Sequence, residues 1–246
     1  MKMNRRDLLA GIGSLSAGLI LSSCSNTNRS SPVEKLPLNQ PDKEAKGKKV
    51  TAVEDLMREH GILRRALFIY SEAGAKLRST PSVIVPDALQ KTARLFRDFG
   101  EKYHEKQLEE AHIFPAVRIA GGQAAIYTNI LVAQHHRGRE ITDYILAVTQ
   151  GAKLRDVDAG TLANAMDSFV RMYRPHAARE DTVVFPAWKQ ALSAKQLDEM
   201  SDMFEDIEHQ QFGEDGFETA VKQITAIEDA LGLADLSQFT AGSIAR

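Results

Sequence analysis

The chain has 246 residues and a net charge of −2, with 31 Lys and Arg against 33 Asp and Glu. That balance excludes broad electrostatic binding of nucleic acid, which needs a basic excess. At 43% hydrophobic and 26% charged the chain is globular rather than disordered. Its single cysteine rules out both an intrachain disulfide and a thiolate metal cluster.

The first residues read as an address. Lys2, Arg5 and Arg6 form a basic start, and Leu8 to Leu21 is an apolar run broken only by small and hydroxyl residues. It falls short of the ~20 residues of a membrane span and reads as a signal-peptide core. Arg5-Arg6-Asp7-Leu8-Leu9 resembles a twin-arginine export signal, and Leu21-Ser22-Ser23-Cys24 resembles a bacterial lipoprotein cleavage box. That resemblance implies residues 1–23 are removed and Cys24 is lipidated. The product would be an exported, membrane-anchored protein facing the periplasm or cell exterior. Losing three positive charges and one negative takes the net charge from −2 to −4, so no basic patch would hold it flat on anionic lipid. Residues 24–49, rich in Ser, Asn, Pro and Lys, read as a flexible tether.

From Val50 the apolar period is helical. Val53, Leu56, Met57, His60, Leu63 and Leu67 share one face of a first helix, about 50–76. A second pattern runs from Asp87 to about Ile119, and a third starts at Gly121-Gly122 and covers about 122–151. A fourth covers about 158–192, interrupted at Pro175, and two shorter helices follow at about 193–211 and 214–232. Alternating strand patterns are scarce. The expected fold is all-α: an up-and-down four-helix bundle over 50–192 with two additional C-terminal helices within 193–246.

The chain repeats itself. Leu56-x-x-Glu59-His60 in the first helix matches Leu131-x-x-Gln134-His135 in the third. His104…Glu109…Phe114-Pro115 in the second matches His176…Glu180…Phe185-Pro186 in the fourth, with Glu109 and Glu180 equally far from Phe-Pro. The first helix pair therefore resembles the second, which predicts a pseudo-twofold axis. Imidazole and carboxylate suit iron or manganese in a bundle core. His60, His104, His135 and His176 come one per long helix. His176 and Glu180, four apart, share a face. His104 and Glu109, five apart, diverge by ~140° on a regular helix. A π-bulge would realign them, and one is predicted there.

On the third helix His135 is chosen over His136, because it matches His60 and has apolar neighbours. His136 reads as solvated or as a group behind the ligands. His112, whose repeat partner is Val183, and His209 are additional groups that could reach the site. Glu105, Glu110 and Asp181 read as solvated, with Asp181 an alternative to Glu180. Tyr70 and Tyr173 read as ordinary half-buried residues.

These pieces together resemble the hemerythrin-like (HHE cation-binding) family over roughly 50–190. They are Arg58-Glu59-His60, His104…Glu109-Glu110…Phe114-Pro115, Gln134-His135 and Arg174-Pro175-His176…Glu180-Asp181…Phe185-Pro186. The resemblance implies a non-haem centre of two iron ions, joined by an oxo or hydroxo group (Fe-O-Fe or Fe-OH-Fe). Glu109 and Glu180 would bridge, and His60, His104, His135 and His176 would be terminal ligands. Manganese and zinc also suit such ligands. Oxygen-carrying members place two histidines four apart on the third helix, but here the residue four after His135 is Arg139. The more open centre implied favours reaction with O2, peroxide or nitric oxide over oxygen storage. Three readings stand at this point. One is a di-iron protein that binds such ligands, with peroxide- or nitric-oxide-directed oxidoreductase activity undecided. The others are a metal-sensing module signalling to a protein partner without turnover, and a metal-free helical lipoprotein.

Overall fold

The computed structural model describes residues 50–80, 86–213 and 215–243. The signal peptide, Cys24 and the tether lie outside the described residues. Residues from Thr51 onward form one compact unit, and every regular element among the described residues is helical. No described helix is long and apolar enough to cross a membrane.

Helix α1 is Ala52–Ser79. It starts at a reciprocal capping box: the Thr51 hydroxyl accepts from Glu54 N–H, and the Glu54 carboxylate accepts from Thr51 N–H. Its inner face carries Leu56, His60, Leu63, Leu67 and Tyr70, all at most 1% exposed, while Met57 sits further out at 36%. The second rod, α2 (86–120), joins three segments without a break: an α-helix Pro86–Leu95, a π-helix Phe96–Ile113 and an α-helix Phe114–Ala120. Gly121 and Gly122 both take positive φ, 76° and 72°, where a side chain would be strained. They reverse the chain into α3, Gly122–Val148.

The fourth rod, α4 (156–191), joins Asp156–Arg179, a π-helix Glu180–Val184 and Phe185–Ala191. The expected interruption at Pro175 is absent, and the helix runs through it. Pro175 and Arg171, whose carbonyl loses its partner, both lie on the exposed side, where water can satisfy that carbonyl. Helices α5 (Ala194–Phe212) and α6 (Gly216–Leu231) complete the described helical rods. α1 packs longest against α4, and α6 lies across α1 and the start of α2.

The two π segments end alike, each at a Phe-Pro pair. A proline lacks the N–H and crowds the carbonyl four residues back. In each rod the Phe before Pro donates instead to the carbonyl five back, Phe114 to Glu109 and Phe185 to Glu180. The predicted bulge is thus a longer widened stretch, with an unexpected counterpart in α4. Gly100, inside the first stretch, faces α1. A Cβ there would stand 3.0 Å from Leu63 Cδ2, so glycine lets the wide rod approach.

Candidate metal centre

His60, His104, Glu109, His135, His176 and Glu180 converge in the middle of the bundle, each at most 2% exposed. The imidazoles form two pairs. His60 Nε2 and His104 Nε2 are 3.0 Å apart, and His135 Nε2 and His176 Nε2 are 3.1 Å apart. The two carboxylates lie between the pairs, each turning one oxygen toward each. Glu109 Oε1 is 3.4 Å from His104 Nε2, and its Oε2 is 3.3 Å from His135 Nε2. Glu180 Oε2 is 3.5 Å from His60 Nε2, and its Oε1 is 3.1 Å from His176 Nε2.

Each imidazole is pinned from behind through Nδ1. His60 pairs with Asp181 at 2.7 Å, His104 with Glu59 at 2.7 Å, His135 with Glu110 at 2.9 Å and His176 with Gln134 Oε1 at 2.9 Å. All four partners are acceptors, so in the neutral rings the proton sits on Nδ1 and the Nε2 lone pair points inward. Phe185 stacks on His60 with centroids 5.4 Å apart, and Phe114 stacks on His135 at 5.6 Å. The two Phe-Pro motifs thereby wall the site at symmetric places. Tyr173 stacks on His176 at 4.8 Å and donates its hydroxyl to Glu105.

The four oxygens of Glu109 and Glu180 accept no hydrogen bond. Two buried carboxylates facing imidazole lone pairs are unfavourable unless positive charge enters among them. The titration of the rings shows the same demand. Burial alone would push His104 down, but Glu109 and Glu59 outweigh it and hold it well above the ordinary 6.5. Burial opposes His135 likewise, yet Glu105, Glu109 and Glu110 hold it well above 6.5. His60 is raised against its burial by Asp181 and Glu180. Burial pushes the Glu180 carboxyl up, and His176 and His60 more than reverse it, leaving it lowered. Protons on Nε2 meet this demand in the ion-free protein. Cations bound by the same atoms would meet it better, because one ion engages several of them at once. The donor set fits a pair of iron, manganese or zinc ions: His135 and His176 cluster with both Glu109 and Glu180, and His60 and His104 cluster with Glu109, with Glu180 Oε2 3.5 Å from His60 Nε2.

Other expected residues lie elsewhere. His136 and His209 are exposed. His112 is half-buried, faces Phe204 at 5.9 Å and is lowered by burial. Tyr70 and Tyr173 are buried, not half-exposed. Glu105, Glu110 and Asp181 are not solvated carboxylates. Glu105 is fully buried, 3.2 Å from Arg139, while Glu110 and Asp181 hold imidazoles. Arg139, four residues after His135, binds Glu110, as Arg64 binds Asp181. Each Arg is four residues after a histidine of the repeat, so Arg139 belongs to the pseudo-symmetry. The signal for these partners was adjacency: Glu59 and Gln134 precede a histidine, and Glu110 and Asp181 follow a bridging-type glutamate.

A helical bundle with buried, paired His/Glu clusters defines a cation-binding module, and the comparisons agree. The chain belongs to the hemerythrin family: the hemerythrin HHE cation binding domain matches residues 51–188 and, in an overlapping second match, 127–240. The second match begins in α3, in line with a chain whose helix pairs repeat. An uncharacterized protein of Mycobacterium bovis is 44% identical over 239 residues, 97% of this chain and 91% of the relative. Uncharacterized proteins from two strains of Mycobacterium tuberculosis match to the same extent. No solved structure matches the chain significantly.

Proposed function

We propose that the chain is a non-haem di-iron protein that binds or reacts with O2, peroxide or nitric oxide. The observation carrying this reading is the pair of buried carboxylates with four unpartnered oxygens, set between two imidazole pairs whose Nδ1 atoms are all engaged. Iron would supply electrons and open coordination positions to a small ligand. The chain's own residues do the rest. Phe114, Phe185 and Tyr173 exclude bulk water from the rings. Asp181, Glu59, Glu110 and Gln134 fix the tautomer of each histidine. A groove of about 580 Å³ between α2 and α6 contains none of the six central residues.

The export signal and the lipidated Cys24 are part of this proposal and would put the centre outside the cytoplasmic membrane. The alternative is a metal-sensing module that signals to a partner without turnover. Iron loading followed by rapid mixing with peroxide or nitric oxide separates the two. The first reading expects two iron per chain, a near-ultraviolet charge-transfer band, and a spectral change on mixing. His176→Ala and Glu180→Ala should lose the metal. A protein that loads iron but leaves it unchanged by every reactant would favour sensing, and one that loads none would end both readings.

A further inference from the structure

The pseudo-twofold axis relates His60 to His135, His104 to His176, Glu109 to Glu180, Asp181 to Glu110, and Arg64 to Arg139. Behind the histidines it fails at one pair. His104 Nδ1 meets the Glu59 carboxylate, 2.7 Å away, whereas His176 Nδ1 meets the Gln134 amide oxygen at 2.9 Å. Both residues stand immediately before the first histidine of their half. Glu59 is 1% exposed and also accepts from the Tyr103 hydroxyl at 3.2 Å. The other two Nδ1 acceptors do not distinguish the halves, since Asp181 and Glu110 are both carboxylates and each is bound by an arginine.

We propose that the two metal positions are unequal, and that Glu59 makes the His60–His104 position the tighter one while Gln134 leaves the His135–His176 position the weaker. This deepens the di-metal reading and rests on it. A carboxylate accepting an imidazole N–H draws that proton toward itself and pushes electron density onto Nε2. It also adds a buried negative charge behind the ring. A neutral amide oxygen does the first weakly and the second not at all. Counted by Nδ1 acceptors, the ion between His60 and His104 thus sits in front of two carboxylates and the ion between His135 and His176 in front of one; the buried Glu105 near His135 is paired with Arg139. Glu59 and Gln134 are positioning residues that touch no ion.

The test is a competition titration of metal-free, full-length protein with zinc, which His/carboxylate sites bind more tightly than ferrous iron. Partners behind metal-bound histidines change affinity by about 10–100-fold, so two binding steps at least about 10-fold apart are expected. At one equivalent of zinc, the ring signals of 15N-histidine-labelled protein should shift for His60 and His104 first. Gln134→Glu should tighten the second step until the two lie within about threefold, and Glu59→Gln should weaken the first by about 10-fold. The double swap should restore the separation with the filling order inverted, which a merely structural role for Glu59 would not produce. Two equal steps in the wild type overturn the inference and leave the metal centre standing. So does a separation that neither single substitution moves, or a double swap that keeps the original order. A wild-type protein that binds no zinc overturns the centre itself.

Discussion

Glu101 offers a test of the electrostatics that does not depend on metal. It is 1% exposed, inside the widened stretch of α2, and neither oxygen accepts a hydrogen bond of good geometry. Arg97 Nε lies 2.6 Å from one oxygen. Burial lifts its carboxyl from 4.5 to about 7; Thr142, Arg97 and Arg139 oppose the rise, and Glu105 adds to it. An acid raised on folding contributes against stability once it ionises. The penalty is absent below the unfolded value of 4.5, grows as pH rises, and is complete above about 7. At 1.36 kcal/mol per pH unit, a rise of that size is worth about 3 kcal/mol. Glu101→Gln keeps the shape and removes the charge. At pH 8 the metal-free variant should be more stable than wild type by about 3 kcal/mol, or ~6–12 °C in Tm for a chain of this size. By pH 5 the difference should shrink below about 1 kcal/mol. Thermal and urea unfolding of both proteins between pH 5 and 8.5 would measure it. A difference that does not vary with pH, or a variant less stable at pH 8, would refute the reasoning.

Further predictions concern the centre and its packing. Proton and metal compete for the same Nε2 atoms, and His60, His104 and His135 are raised. Zinc affinity should therefore keep climbing with pH beyond 7, and a plateau just above the ordinary 6.5 would contradict the raised rings. In the metal-free chain these rings contribute stability that is present below 6.5 and lost as pH rises through their folded values. The Tm gained on adding metal should accordingly be larger at pH 8.5 than at pH 6, by calorimetry with and without chelator. Gly100→Ala should lower Tm by several degrees. The crowding at Leu63 and Phe96 costs about 1–3 kcal/mol, against a gain of at most ~1 from helix propensity. A variant as stable as wild type would show that the rod can retreat from α1.

Much of the bundle was legible along the chain. Helical periodicity marked the long rods, and the double occurrence of His, Glu and Phe-Pro exposed the pseudo-symmetry. The six groups now found together are the six that this repeat singled out. Those signals are local: they depend on spacing within one helix and on the effect of a proline on the turn before it. What stands behind each imidazole is a different kind of fact. Asp181 reaches His60, and Glu110 reaches His135, from other rods. Their side chains read as solvated because a one-dimensional pattern puts charged residues outside by default. Only the relative rotation of the rods, shifted by π segments longer and more numerous than expected, turns them inward. Residue types and order along the chain thus determined which groups could hold a metal pair. The packing of four rods decided which acceptor backs each ring, because that pairing is set by contacts between helices and leaves no spacing rule in the sequence.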